Sequence, residues 1–131
     1  MKEFKEIKTD KVPVAVGPYS QAIAAGDFVF CSGQIGLDPG TGDLVGSDLS
    51  DQTRQALTNL NNVLAAAGLG FKDVVRTDIF LTNMNDFSTV NEIYASFFQS
   101  DPKPARQTVC VTSLPKGAKI EISAIAYLGE K

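Results

Sequence analysis

The chain is 131 residues long and 44% hydrophobic, and it carries 12 Lys and Arg against 15 Asp and Glu, a formal charge of −3, with no histidine. That length fits a single domain spanning residues 1–131, able to bury about two-thirds of its unfolded surface without a metal or disulfide staple, and the lack of any basic run or stripe disfavours a nucleic-acid partner. Without histidine, the usual neutral-pH general base, the Ser-His-Asp and Cys-His arrangements and the commonest zinc ligand are all removed.

The opening stretch MKEFKEIKTD is charged and lacks the apolar core of a signal peptide, and no apolar run approaches the length of a membrane span, so the cytoplasm is the expected compartment. Residues 14–20, VAVGPYS, read as a loop, and residues 21–25 and 27–36 read as two strands joined at Gly26 and Asp27, a hairpin. The glycine-rich segment 33–46 has no Gly-Lys-Ser/Thr, its GTGDLVG is one residue too long for GxGxxG, and Asp38 and Asp43 would repel phosphate. A plain Asp-Pro-Gly turn with a short extended return is expected there instead of a phosphate loop.

Ser50 is the predicted N-cap of a helix over residues 51–67, with Leu57, Leu60, Leu64 and Ala67 on one stripe and Gly68 as its stop. Over residues 74–82 the period changes to two, placing Val75, Thr77, Ile79 and Leu81 opposite Arg76, Asp78 and Phe80, as in a strand after a helical crossover. Asn85 or Asp86 then caps a second helix, residues 87–99, striped by Phe87, Val90, Tyr94, Phe97 and Phe98. Asn91 sits at the edge of that stripe, where an amide expects a partner. Cys31 and Cys110 each lie in an apolar, strand-like run and read as buried reduced thiols, with a reactive thiol as the alternative.

Both flanks of the turn at residues 114–117 read as strands, and each holds a charged group, Arg106 and Glu121. Arg106, Thr108 and Cys110 point one way, while Glu121, Ser123, Ile125 and Tyr127 share a face of the last strand; whether the two faces coincide depends on register. If they do, a guanidinium able to grip a substrate carboxylate and a carboxylate able to orient water line one pocket. The bland reading is a solvated cross-strand ion pair, worth under about 1 kcal/mol. Taken alone, Tyr19 and Ser32 read as ordinary loop and strand-end residues. The order hairpin, helix, strand, helix, strand, strand gives an α+β fold: a mixed sheet with two crossovers joining parallel strands and both helices on one face. The other face keeps apolar residues and is expected to be buried against other subunits.

GPYSQAI (residues 17–23), FCSGQIGLDP (30–39), the strand within 73–83, DFSTVNEIY (86–94), PAR (104–106) and LPKGAKIEISAIA (114–126) resemble, in order and over nearly the whole chain, the Rid family of reactive intermediate deaminases, also called 2-iminobutanoate/2-iminopropanoate deaminases. The resemblance implies a chorismate-mutase-like α+β fold, a mixed six-stranded sheet with two helices on one face, assembled as a homotrimer whose sheets form a central barrel with ligand clefts between subunits. Carried over position by position, it implies that Arg106 binds the substrate carboxylate, that Glu121 positions the attacking water, and that Tyr19, Ser32 and Asn91 line the cleft. Thr108 stands where many members have a pocket cysteine, which removes thiol chemistry from that position while leaving its backbone groups as ligand contacts. The connection from Phe98 to Arg106 is short beside that of some members.

The reaction so implied is hydrolysis of a 2-imino acid to a 2-keto acid and ammonia, needing neither cofactor nor metal and involving no nucleic acid or membrane. Two other classes stand beside it: a non-catalytic trimeric module that binds small carboxylate metabolites in a regulatory role, and a ribonuclease, against which the acidic, histidine-free composition argues.

Overall fold

Alternating apolar side chains build a six-stranded mixed sheet in the computed structural model, which describes residues 3–129. In chain order the elements are β1 (Phe4–Ile7), β2 (Ala22–Ala25), β3 (Phe28–Gln34), α1 (Leu49–Ala66), β4 (Val74–Leu81), α2 (Phe87–Phe97), β5 (Ala105–Cys110) and β6 (Ile120–Tyr127). The strands lie in the order β1-β2-β3-β6-β4-β5, and among the described residues only β4 and β5 pair in parallel. Because β3 and β4 both run antiparallel to β6, which is inserted between them, both helical crossovers join strands of the same direction, as expected. The predicted hairpin is β2–β3, turning at Gly26 with φ +59°, a left-handed conformation that glycine adopts without steric cost.

One face of the sheet is closed by the helices. Ile120, Ile122, Ala124 and Ala126 alternate inward from β6 and meet Leu57, Leu60, Val63 and Leu64 of α1 and Val90, Ile93 and Tyr94 of α2 in one core. Burying each of these large aliphatic side chains stabilises the fold by roughly 1.5–3 kcal/mol. On the opposite face Phe28, Phe30 and Tyr127 remain exposed, and the rings of Phe28 and Tyr127 touch, with centroids 5.6 Å apart. Among the described residues no helix is long and apolar enough to cross a membrane.

Several local expectations change. β1 was not among the strands read from the pattern, because only Ile7 of FKEI reaches the core. Helix α1 is capped by Asp48, not Ser50: an Asp48 carboxylate oxygen accepts from the Asp51 amide at 3.1 Å, adding negative charge at the helix N-terminus. Helix α2 ends at Phe97, and its stripe gains Ile93 and loses Phe87, which is exposed. A register shift between Val74 and Arg76 turns Val74 into the core and leaves Val75 exposed, so Val75 does not share the face of Thr77, Ile79 and Leu81. Cys31 is buried, its thiol pushed up to about 12 by desolvation, whereas Cys110 is exposed. Cys110 lies at the end of an edge strand paired on one side only.

Buried amides tie down the loop-rich end of the molecule. Asn59 of α1 donates to the carbonyls of Ile35 and Leu37 at 3.2 and 2.9 Å, fixing the start of the glycine-rich excursion. Gln52, 1% exposed, donates to the Gly46 carbonyl at 2.8 Å and accepts from the Lys119 amide at 2.9 Å. It thereby ties that excursion to the segment that leads into β6. Gly36 permits this approach, since a Cβ there would sit 2.7 Å from the Gln52 backbone.

Candidate active site

Strand register decides which functional side chains meet. Thr77 lies opposite Arg106, Ile79 opposite Thr108 and Leu81 opposite Cys110, and the three β4 residues point into the core, so Arg106, Thr108 and Cys110 belong to the helix side of the sheet. Glu121 lies opposite Phe80, and its neighbours Ile120 and Ile122 are fully buried, so Glu121 belongs to the open side. The two faces do not coincide. Within one chain, Arg106 and Glu121 form neither a common pocket nor a cross-strand ion pair.

On the helix side, β5 runs along the sheet edge and α2 lies beside it. The Arg106 guanidinium carbon stands 5.0 Å from the Tyr94 ring centroid and 5.6 Å from that of Phe87, a cation held by aromatic faces. Tyr94 is itself fixed by a 2.9 Å hydrogen bond between its hydroxyl and that of Thr77 and by stacking on Phe98 at 4.2 Å. Burial raises the Tyr94 phenol above its usual range, against smaller opposing effects of the Thr77 hydrogen bond and the Arg106 charge. Arg106 has no carboxylate partner among the described residues, in contrast to Arg76 on the neighbouring strand, whose guanidinium grips both oxygens of Asp78 at 3.0 and 3.1 Å.

Thr108, two residues along the same face, has a buried hydroxyl with no hydrogen-bond partner among the described residues. Leaving such a group unpaired costs about 1–3 kcal/mol, so the position favours a polar contact. Asn91 is half-buried on the side of α2 that carries Phe87 and Tyr94, and therefore belongs to the Arg106 group.

On the open side, Glu121 lines a recess of about 120 Å³ together with Tyr19, Gly33, Gln34, Pro115 and Lys116. A bulge builds it: Cys31 pairs with Ala124 and Gln34 with Ile122, so β3 spends one extra residue there and Gly33 is brought against β6. A Cβ on Gly33 would lie 2.7 Å from a Glu121 carboxylate oxygen, so only glycine leaves that carboxylate undisturbed. Burial raises the Glu121 carboxyl above the ordinary carboxylate value. Tyr19 stands at the recess on the exposed loop between β1 and β2. The Ser32 hydroxyl instead donates to the Ser20 carbonyl at 2.6 Å and so holds the base of the Tyr19 loop, outside the recess.

Of the residues singled out in the sequence, then, Arg106, Thr108 and Asn91 form one group, Glu121 and Tyr19 another, and Ser32 supports the second. Gly33, Gln34 and Lys116 were not singled out. A glycine inside a strand pattern was the available signal for Gly33, since it marks a bulge or a close backbone approach. Among the described residues no group of three or more His, Cys, Asp or Glu side chains is arranged to hold a metal ion.

The sequence profile of the family described as Endoribonuclease L-PSP matches residues 9–128. A 2-iminobutanoate/2-iminopropanoate deaminase of Mus musculus is 49% identical over 125 residues, covering 95% of this chain and 92% of that protein. Among solved structures, the Rid-family protein YyfA of Yersinia pestis, described as of unknown function, superposes with a TM-score of 0.93 at 49% identity, over 95% of this chain and 99% of that one. E. coli TdcF with bound serine superposes with a TM-score of 0.88 at 43% identity, over 94% and 98%.

Proposed function

The chain belongs to the Rid family, the family described as Endoribonuclease L-PSP, and from that membership we propose that it is a deaminase that hydrolyses small 2-imino acids such as 2-iminobutanoate and 2-iminopropanoate to 2-keto acids and ammonia. The observation that carries this reading is Arg106, a guanidinium seated on two aromatic rings with no carboxylate of its own among the described residues. Its planar fork suits a carboxylate supplied by a ligand, bound through two parallel hydrogen bonds. The unpaired Thr108 hydroxyl beside it offers a further polar contact.

Glu121 is the general base in this proposal. It takes a proton from water as the oxygen adds to the imine carbon and passes it to the nitrogen; the hydroxyl proton of the resulting adduct then follows the same route as the carbon–nitrogen bond breaks, leaving a ketone and ammonia. Burial favours such a role by raising the carboxyl toward the pH at which it works, and positioned acid–base catalysis contributes about 10²–10⁴-fold. Tyr19 borders the same recess and orients the imine nitrogen. Since Arg106 and Glu121 occupy opposite faces of one sheet, the active centre is completed between copies of the chain, Arg106 from one and Glu121 from another. Burial of the open face carrying Phe28, Phe30 and Tyr127 in a homotrimer provides the setting.

Ammonia release from freshly generated 2-iminobutanoate tests this. Wild type should accelerate it, while Arg106→Ala and Glu121→Ala should each lose at least about 100-fold, as expected when a substrate clamp or a base is removed. Unchanged turnover in Arg106→Ala would defeat the carboxylate-clamp assignment. A second reading, a trimeric module that binds small carboxylates without turning them over, is favoured by the serine held in the E. coli relative. It would be selected by slow imine turnover together with tight binding of 2-ketobutyrate that Arg106→Ala abolishes.

A further inference from the structure

The turn leading into β6 presents a cation that the proposed reaction does not use. Among the described residues Lys116 is the sole basic residue bordering the Glu121 recess, and it also borders the adjoining groove along Gly40, Thr41, Gly42 and Asp43. Its backbone is left-handed, with φ +58°, in a region that residues with a Cβ rarely adopt. Gly117, next in the chain, shares that conformation at φ +70°, so the turn places a long charged side chain where glycine or asparagine would fit with less strain.

The Lys116 ammonium donates to the Gly42 carbonyl at 3.1 Å and has no carboxylate within ion-pair distance among the described residues. A neutral carbonyl uses one of its three N–H donors and does not neutralise its charge. Nor does Lys116 serve as the counter-charge of Glu121, since the perturbation of that carboxyl comes from burial. The recess therefore has one wall with the Glu121 carboxylate and another with an ammonium, on a four-carbon arm, that makes no ion pair among the described residues even though Asp43 lines the same groove.

Resting on the deaminase reading above, we propose that Lys116 is a specificity-determining residue that admits 2-imino dicarboxylic acids, its ammonium exchanging the Gly42 carbonyl for the substrate's second carboxylate. Arg106 holds the carboxylate next to the imine carbon, Lys116 holds the one at the far end of the side chain, and the imine carbon lies between them at Glu121. The chemistry is unchanged: water adds, the carbon–nitrogen bond breaks, and a 2-keto dicarboxylic acid and ammonia leave. Exchanging a neutral acceptor for an anionic one strengthens the hydrogen bond, which gives the substrate a differential hold on this arm.

The test compares kcat/KM for 2-iminosuccinate, generated from aspartate by an added amino-acid oxidase, with that for 2-iminobutanoate. Wild type should accelerate both. In Lys116→Met and Lys116→Gly the ratio of the first to the second should fall about 10–100-fold, mainly through KM for 2-iminosuccinate, as expected for the loss of a charged hydrogen bond. Lys116→Arg should retain the ratio, and the agreement of Met with Gly removes backbone strain as the cause. A ratio unchanged in both variants, or a wild type that hydrolyses 2-iminobutanoate and leaves 2-iminosuccinate at its spontaneous rate, overturns the proposal. Failure on both substrates instead overturns the deaminase reading beneath it.

Discussion

On its helix-covered side the sheet buries Leu57, Leu60, Ile79 and Ile122 to 1% exposure or less, whereas on the other side Phe28, Phe30 and Tyr127 stay 38–45% exposed. Polar groups follow the same division. Beneath the helices Gln52, Asn59 and Thr77 are buried and hydrogen-bonded, because an unpaired polar atom there would cost as much as a lost hydrophobic contact. At the rim of that side Thr108 keeps a buried hydroxyl without a partner, and on the open side Glu121 is half-buried with its carboxyl raised. The same sheet is thus finished where it carries the fold and unfinished where the proposed site lies, with Arg106 beside the first unfinished place and Glu121 at the second, neither in an ion pair among the described residues.

Gly33→Ala sharpens this contrast most strongly. The added methyl group meets the Glu121 carboxylate at 2.7 Å and must displace it, so turnover of 2-iminobutanoate should fall about 10–100-fold, the scale of a misplacement near 1 Å, with thermal stability little changed. Gly36→Ala, whose Cβ meets helix backbone at the same distance, should instead lower the melting temperature. Circular dichroism melts and the ammonia assay, run on both variants, separate the site glycine from the packing glycine.

Next in size is the pH behaviour of Glu121. Its carboxyl is raised by burial, so the folded state holds the proton more tightly than the unfolded chain does. The group's stability contribution is complete below the unfolded value near 4.3 and is lost as pH rises through the folded value. Glu121→Gln should therefore melt slightly higher than wild type at neutral pH and equal to it in acid. The acid limb of kcat/KM in wild type should fall above the ordinary glutamate range. A wild-type limb at or below about 4.3 would contradict the role of burial.

Smallest is Thr108→Val, which removes the unpaired hydroxyl and keeps the shape. Chemical denaturation should show a gain of up to about 1 kcal/mol, and 2-ketobutyrate should bind a few-fold more weakly. A stability loss would mean that the hydroxyl has a partner after all.

How much of this was legible in the sequence follows from the same division. The helices and central strands were readable because Leu57, Leu60 and Leu64, or Thr77, Ile79 and Leu81, repeat at the period of their element. β1 was not, since three of its four residues face solvent and a lone Ile7 makes no pattern. Val75 misled because a bulge breaks alternation without changing composition. Cys110 misled because apolar neighbours announce a strand but do not reveal that it is an edge strand whose last residue stays exposed.

For the site, the types of Arg106 and Glu121 were visible, and their opposite faces were not. That depends on β6 being inserted between β3 and β4, a pairing of strands distant in sequence. The recess glycine and Lys116 escaped notice for a related reason: each matters through what a distant segment places beside it, Glu121 for Gly33 and the Gly42 carbonyl for Lys116.

The central claim is that one copy supplies Arg106 and another Glu121. It is tested most directly by co-refolding equal amounts of inactive Arg106→Ala and Glu121→Ala proteins and assaying 2-iminobutanoate hydrolysis. Random mixing gives about a quarter of the sites an intact arginine from one copy and an intact glutamate from the next, so about a quarter of wild-type activity should return. If a single chain furnished both groups, every site would lack one of them, and the mixture would stay as inactive as its components.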